Sequence, residues 1–376
     1  MKQGWRFTGL LALGGLAMLV ASACATSAPP APTPTAAPKP PAAAAATPTP
    51  VPPKPTAPTT PTPRPAAVKY GSTGTLGYAG VFIAVEKGYF KEQGITPELE
   101  NFRTIAEMIP PLGTGQIDVV GLPINVPLLA AADRGVELKV VADQGQGRPG
   151  WDNCYIVLRK DLADSGKVKT AADLKGMRIA IPSPGGQGEQ AVQIMMEQIG
   201  LKLADVELTV LPFGEQAAAL ANKAIAAAFS CEPAIVTGVR QGFALKWIPN
   251  SKLFGGRVST SVVVYGSRLM KDQDVGRRWM IAYLKGNRDF IKSFSSKEGR
   301  QGVVGILGKY TGITDPQLYA DMEVTYQEPN GLPDRGSIEA QYKWFVEKGL
   351  YTGKKTFDEL TDLSYVEYAV QQLGKQ

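Results

Sequence analysis

Apolar, strand-like segments alternate with helix-like segments along most of this chain, beginning near residue 68. VKYGS (68–72) and STSVVVYGS (259–267) are typical of buried strands, and GVFIAVEKGYF (80–90) is typical of an amphipathic helix. This alternation predicts an α/β fold in which helices pack on both faces of parallel sheets. Because about 300 residues exceed the size that one hydrophobic core usually serves, we expect two lobes.

Two stretches rich in turn-forming residues divide the alternating region: GQGRPGW (145–151) and KWIPNSKLFGGR (246–257). The helical carboxyl-terminal part must pack somewhere, and a return to the first lobe is the simplest topology. The sequence therefore predicts one lobe from residues 68–149 and 258–376, and another from residues 150–257. We expect a mixed or parallel sheet in each lobe and a ligand cleft between them, at the carboxyl ends of the strands.

The amino terminus indicates export. Residues 7–20 are apolar and follow Lys2 and Arg6, a pattern that suits a signal peptide and is too short to cross a bilayer. Small residues then precede Cys24, and the arrangement resembles a bacterial lipoprotein signal, which is cut before a cysteine that becomes lipidated. We expect a signal peptide over residues 1–23 and lipidation of Cys24. A plain secretory signal with an incidental cysteine is the alternative.

Residues 24–67 predict a tether. Sixteen prolines fall among them, most of the others are alanine or threonine, and acidic residues are absent. This composition has no core to bury and favours an extended polyproline II path. Residues 68–376 carry 35 basic and 34 acidic residues, so the net charge of +6 comes mostly from the signal and tether. The balance does not indicate nucleic acid, and we expect a lipid anchor to be the only contact with the membrane.

The chain contains no histidine, the commonest general base and metal ligand. With Cys24 assigned to lipid, only Cys154 and Cys231 remain, which are too few for a zinc or iron–sulfur site. We therefore expect no metal and no enzyme activity. Outside the cytoplasm the two cysteines could form a disulfide, and the sequence leaves their pairing open.

A glycine-rich turn lies in IAIPSPGGQGEQAVQIMMEQIG (179–200), between a strand and a helix. Gly186, Gly188 and Ala191 match the G-x-G-x-x-A dinucleotide fingerprint. That motif also requires an acid at the end of the next strand, whereas Glu207 lies at its beginning. Since the signal peptide also places the turn outside the cytoplasm, we expect no cofactor. The amides of the turn can instead donate to a polar group of a ligand, and a tight turn needing only backbone freedom is the alternative.

Four stretches, taken in order, resemble the substrate-binding proteins of ABC importers, in the group with sulfonate-, nitrate- and thiamine-pyrimidine-binding members. The resemblance implies a two-lobed periplasmic-binding-protein fold of type II and a cleft for a small solute. It covers residues 68–242 and rests on GVFIAVEKGYFKEQGI (80–95), LGTGQIDVVG (112–121), TAADLKGMRIAIPSPGG (170–186), and QIGLKLADVELTVLPFGEQAAAL (198–220) followed by CEPAI (231–235).

Loops that follow the predicted strands supply the candidate ligand-binding residues. Asn125 could bond the ligand or only cap a helix. Glu232 could accept from an amine or ring N–H of the ligand or only stabilise a helix start. Trp151 could stack on a flat ligand or only fill a hydrophobic gap. The candidates are Thr73, Thr75, Tyr78, Asn125, Trp151, Ser183, Gly185, Gly186, Gln187, Glu232 and Ser261.

These observations predict a monomeric, extracytoplasmic, lipid-anchored receptor that captures a small solute and delivers it to an ABC permease and its ATPase. Sulfonates, nitrate, pyrimidine-like and aromatic compounds are the candidate solutes. A ligand-sensing module that presents its closed form to a signalling partner is the alternative. An enzyme of the related pyrimidine-synthesis group would, as the resemblance implies, need histidine and a cysteine-rich motif, and the chain lacks both.

Overall fold

The structure, a computed structural model, describes residues 63–353 and 355–376. The predicted signal peptide, Cys24 and the predicted tether up to residue 62 lie outside the described residues. The first strand begins at Ala66, two residues inside the range predicted for the tether. In the described ranges, no helix combines the length and the apolar character needed to cross a membrane.

The described residues form ten strands. Their bounds are β1 Ala66–Ser72, β2 Ile95–Asn101, β3 Val119–Leu122, β4 Leu138–Gly147, β5 Cys154–Arg159, β6 Arg178–Ile181, β7 Glu207–Val210, β8 Ala227–Cys231, β9 Ala244–Pro249 and β10 Val258–Gly266.

The same residues form sixteen α-helices, most of which follow a strand. Their bounds are α1 Ala79–Glu86, α2 Tyr89–Glu92, α3 Ile109–Thr114, α4 Val126–Asp133, α5 Lys160–Asp164, α6 Gln187–Glu197, α7 Phe213–Ala221, α8 Ala234–Arg240, α9 Asn250–Leu253, α10 Ser267–Lys271, α11 Gln273–Phe294, α12 Lys297–Thr311, α13 Pro316–Asp321, α14 Arg335–Glu347, α15 Phe357–Leu360 and α16 Ser364–Leu373.

The strands form two separate five-stranded sheets, ordered β2-β1-β3-β10-β4 and β7-β6-β8-β5-β9. We call the first sheet with its helices lobe 1 and the second with its helices lobe 2. Within lobe 1, β1, β2 and β3 are parallel, whereas β10 runs antiparallel to both of its neighbours. Within lobe 2, β5 runs antiparallel to β8 and β9. The two-lobed α/β fold is confirmed. Both sheets are mixed because the strand that enters each lobe from the other, β10 in lobe 1 and β5 in lobe 2, runs against the remaining strands.

The chain passes between the lobes at residues 148–153 and 254–257, and the two passages are joined. β4 and β10 pair up to the point of crossing, where Val258 lies opposite Gly147. Beyond it, the buried carboxylate of Asp152 accepts hydrogen bonds from the backbone nitrogen and the hydroxyl of Ser251, at 2.7 and 2.6 Å. The two passages therefore lie side by side, as a hinge requires.

One strand was not predicted. β9 occupies part of the stretch that we interpreted as a breaker-rich crossing. It is an edge strand and ends at Pro249, and proline is tolerated there because an edge strand does not need every backbone donor. Pro110 and Pro111 lie in the first turn of α3, where a backbone nitrogen has no partner within the helix and proline is tolerated.

Each sheet is covered by apolar residues on both faces. The largest cluster packs α1, α11 and α16 on lobe 1, and Trp279, Tyr283 and Phe290 of α11 are fully buried within it. A second cluster packs α3, α4 and α14 on the opposite face of the same sheet. Two smaller clusters do the same for lobe 2.

Asp143 is a buried carboxylate on β4. Its side chain accepts hydrogen bonds from Gln146 Nε2 at 3.1 Å and from the backbone nitrogen of Glu328 at 3.2 Å. Its backbone nitrogen donates to the carbonyl of Gly331, and its carbonyl accepts from the hydroxyl of Tyr283. These bonds hold the segment after α13 against β4. Burial raises the pKa of Asp143 to about 7, because the charged form loses hydration.

We expect Asp143→Asn to flatten the pH dependence of stability. A carboxyl whose pKa is raised by folding stabilises the protein while it is protonated, and that contribution is lost as pH rises through about 7. The wild type should lose roughly 2 kcal/mol of unfolding free energy between about pH 5 and 8, and the variant much less. Urea unfolding at both pH values measures this. The exposed control Asp164→Asn should keep the wild-type slope, and an equal slope in Asp143→Asn would contradict the assignment.

Candidate functional site

A cavity lies between the two lobes and holds about 650 Å³ of space free of protein atoms, counted out to its mouth. Its wall comes from the residues that follow β1, β2, β3 and β6, from the starts of β5 and α7, from the end of β8, from β10 and from the segment after α13. The wall residues are Thr73, Thr75, Gly77, Tyr78, Ile105, Pro123, Asn125, Asn153, Cys154, Pro182, Ser183, Gly186, Gln187, Gly188, Phe213, Phe229, Cys231, Thr260, Ser261 and Thr325.

Most of the predicted site residues lie in this wall. They come together because β1, β3 and β6 all end at the cleft, so the polar loop after each of these strands faces the same space. The predicted residues in the wall are Thr73, Thr75, Tyr78, Asn125, Ser183, Gly186, Gln187 and Ser261.

Some wall residues already use their polar atoms within the protein. The Tyr78 hydroxyl donates to the carbonyl of Gly121 at 2.9 Å, and burial raises its pKa to about 12. Asn125 Oδ1 accepts from the backbone nitrogen of Leu128 and caps α4. That bond leaves the Asn125 amide NH₂ able to donate into the cavity. Asn125 therefore combines the capping role with a position in the wall.

Gln187 joins the lobes. Its Nε2 donates to the carbonyl of Ser259 at 2.7 Å, and its Oε1 accepts from Asn250 at 3.2 Å. Its side chain therefore fixes the start of α6 against β10, and its amide is already satisfied by protein partners.

Two buried hydroxyls in the wall have no protein partner. Thr260 Oγ1 and Thr325 Oγ1 are inaccessible to solvent and make no hydrogen bond within the described residues. A Cβ placed on Gly145 would lie 2.9 and 2.8 Å from these two oxygens, so both hydroxyls lie beside the same residue of β4. An unpaired buried hydroxyl is costly, and a ligand that bonded it would recover that free energy.

Thr325 was not among the predicted site residues. The carboxyl-terminal part was predicted to be helical, whereas α13 ends at Asp321 and α14 begins at Arg335. Between them, Tyr326 pairs with Gln146 of β4 and brings Thr325 to the cavity. The turn-forming sequence EPNGLP (328–333) was the available signal of a non-helical stretch.

Three predicted residues lie outside the wall. Trp151 packs edge-on against Tyr326, with ring centroids 5.8 Å apart, so it fills a gap beside the hinge. The backbone nitrogen of Gly185 donates to the carboxylate of Glu189, so this donor of the glycine turn is already used. Gly185 has a φ of +63°, which favours glycine.

Glu232 is the third predicted residue that lies outside the wall, and its carboxylate contacts other groups of the protein. It is fully buried, lies 2.9 Å from Lys246 Nζ and accepts from the backbone nitrogen of Val236 in the first turn of α8. Burial raises the pKa of Glu232, although Lys246 opposes the shift. Glu232 therefore matches the interpretation of an acid at a helix start. Its carboxylate does not line the cavity, where the alternative interpretation would place it to accept from a ligand.

Hydrogen bonds and ion pairs link the lobes around the cavity. The carbonyl of Gly185 accepts from the backbone nitrogen of Val126 at 3.1 Å, and Arg103 pairs with Glu215 at 2.6 Å. On another side, the Tyr155 hydroxyl donates to Glu323 at 2.6 Å. The cavity is therefore held in a closed arrangement.

The chemistry of the wall is neutral. None of the wall residues in the described ranges carries a charged side chain. Cys154 and Cys231 form a disulfide that ties the start of β5 to the end of β8. The remaining surface combines hydroxyls and amides with the rings of Phe213 and Phe229. Such a wall can hold a solute by hydrogen bonds and apolar contact.

Comparison with proteins of known sequence gives distant relatives. A putative binding protein of Brucella abortus (strain 2308) is 25% identical over 210 residues, which span 55% of this chain and 61% of that protein. The chain thus matches less than two thirds of the length of this relative.

Solved structures share the fold at low identity. The periplasmic nitrate-binding protein NrtA from Synechocystis PCC 6803 superposes with a TM-score of 0.70, 14% identity, 83% of this chain and 90% of that chain. The alkanesulfonate-binding protein SsuA from Xanthomonas axonopodis pv. citri superposes with a TM-score of 0.61 and 18% identity, and the match covers 81% of this chain and 98% of that chain. The desulfurization enzyme DszB superposes with a TM-score of 0.58 and 14% identity, and the match covers 82% of this chain and 99% of that chain. This fold therefore also occurs in an enzyme.

The model of the family described as "NMT1/THI5 like" matches residues 76–293. The match begins just before α1 and ends within α11, so it includes most of the elements that form the cavity wall. It covers more than half of the chain, and the chain therefore belongs to the NMT1/THI5-like family.

Proposed function

We propose that this protein is the extracytoplasmic solute-binding receptor of an ABC importer, which closes two lobes on a small solute and delivers it to a membrane permease and its ATPase. The observation that carries the proposal is the cavity between the lobes, with the unpaired hydroxyls of Thr260 and Thr325 in an uncharged wall. The fold shared with sulfonate- and nitrate-binding proteins supports it.

In the proposed movement, the two passages bend. Lobe 1, formed by residues 68–149 and 258–376, thereby approaches lobe 2, formed by residues 150–257. Both passages lie beside one another, so they can bend together while each sheet stays rigid. A solute that contacts both lobes favours the closed form only by the amount that it binds that form more tightly. Thr325 of lobe 1 and Ser183 of lobe 2 are suited to this role, because they reach the same cavity from opposite sides.

We also propose binding without chemistry. The chain has no histidine, and both cysteines of the wall are held in a disulfide. Tyr78, whose hydroxyl donates to a backbone carbonyl, is the titratable group in the described wall, and its raised pKa keeps it protonated. A lipid anchor at Cys24 and a proline-rich tether would keep such a receptor near its permease, and we expect it to act as a monomer.

Solute binding tests the proposed function. We expect native mass spectrometry or titration calorimetry against sulfonates, nitrate, pyrimidines and aromatic acids to find a solute with micromolar or tighter affinity. Small-angle scattering should show a smaller radius of gyration in its presence, since closure brings the lobes together. A folded protein that carries no solute and binds none of these compounds would contradict the proposal.

The unpaired hydroxyls give a sharper test. We expect Thr325→Val to weaken solute binding about threefold to tenfold, the usual effect of one lost hydrogen bond, without lowering the melting temperature. Stability should hold because no protein hydrogen bond is removed. Thr96→Val, an isosteric change at an exposed position of β2, is the matched control and should leave affinity unchanged. Equal affinities of wild type and Thr325→Val would remove Thr325 from the site.

A further inference from the structure

A second space adjoins the cavity. It holds about 740 Å³ counted out to its mouth, and it is more open than the cavity. Thr73, Thr75, Phe213 and Cys231 line both spaces, so the two are neighbours that share one boundary. We call this second space the annex. It lies between α7 and α8 of lobe 2 and the residues that follow β1 and α12 of lobe 1.

The annex, like the cavity, is uncharged and presents mainly apolar surface, to which Thr237 of α8 adds a hydroxyl. Beyond the shared boundary, Ala217 of α7, Ala234 and Pro233 at the start of α8, and Ile313 after α12 supply apolar surface. The Thr311 hydroxyl is already bonded to the carbonyl of Leu307 and to the Tyr319 hydroxyl. No charged side chain lines it within residues 63–353 and 355–376.

The unpaired hydroxyls lie elsewhere. Thr260 and Thr325 line the cavity and are absent from the wall of the annex. Both stand beside Gly145 on β4, the strand that leads into the hinge. A polar group bound there would therefore sit near the hinge, and the rest of the molecule would point away from it. A solute that extends from one space into the other would pass Phe213 and Thr75, which line both.

We infer that the annex is a second subsite, which takes an uncharged, apolar extension of the solute whose polar head binds beside Thr260 and Thr325. This inference rests on the proposed function and names the shape of its solute: elongated, with a polar head and an apolar tail. Burial of the tail against Ala217, Ala234 and Ile313 adds affinity in proportion to the area removed from water. Since these residues belong to both lobes, the tail also favours closure.

Titration with homologous series tests the annex. The probes are straight-chain compounds from ethyl to octyl length with one of three heads: sulfonate, carboxamide or pyrimidine. In a series that binds, wild-type affinity should rise about threefold to fourfold for each methylene that reaches the annex. Ala217→Leu fills the annex from α7 at little cost to the helix, because leucine is also a strong helix former. It should abolish the gain for long members and leave short members unaffected.

Ala218→Leu is the matched control. It places the same side chain on the next residue of α7, which is exposed and does not line the annex, and it should bind every member as the wild type does. Affinity that is independent of length, or an equal loss for short and long members in Ala217→Leu, would overturn the subsite. If no series binds but the wild type carries a co-purified solute, the proposed function stands and the subsite is overturned. If the wild type also carries no solute, both fail.

Discussion

The position of β10 between β3 and β4 is the constraint on which the rest of this structure depends. A chain that has left lobe 1 through β4 must return beside it, and it does so as an antiparallel strand that pairs with both neighbours. This pairing places the second passage between lobes next to the first, where Asp152 and Ser251 bond. It also delivers Thr260 and Ser261 to the cavity, so one strand contributes both to the connection between the lobes and to the cavity wall.

The cavity wall depends on a second, buried polar arrangement. Asp143 and Gln146 of β4 hold the segment from Tyr326 to Gly331, and that segment carries Thr325 to the cavity wall. Other polar side chains of the cavity wall are engaged within the protein, including the amide of Gln187 and the hydroxyl of Tyr78. Several buried side-chain atoms have no partner among the described residues, and of these the hydroxyls of Thr260 and Thr325 are the ones that belong to the cavity wall. They are therefore the groups of the wall with most to gain from a ligand.

Local patterns predicted the strand-to-helix loops well. Asn125 caps α4, and Gly186 begins the turn into α6, because a cap and a glycine turn depend on a few neighbouring residues. Local patterns gave less information about side chains whose partners are distant in the chain. Glu232 has its carboxylate engaged by Lys246 of β9, a strand that was not predicted, and Trp151 packs against Tyr326, which is far away in the chain. Thr325 gave no local signal beyond the breaker-rich residues that follow it.

The sequence by itself determined the α/β class, the division into two lobes and most of the loops that meet at the cleft. It could do so because strand and helix periodicity and turn chemistry are written in short stretches of residues. Only the tertiary structure decided which polar groups of the cavity wall lack a partner among the described residues, that Cys154 meets Cys231, and that an apolar annex adjoins the cavity. These features arise where residues far apart in the chain pack together, and no local pattern records which groups will become neighbours.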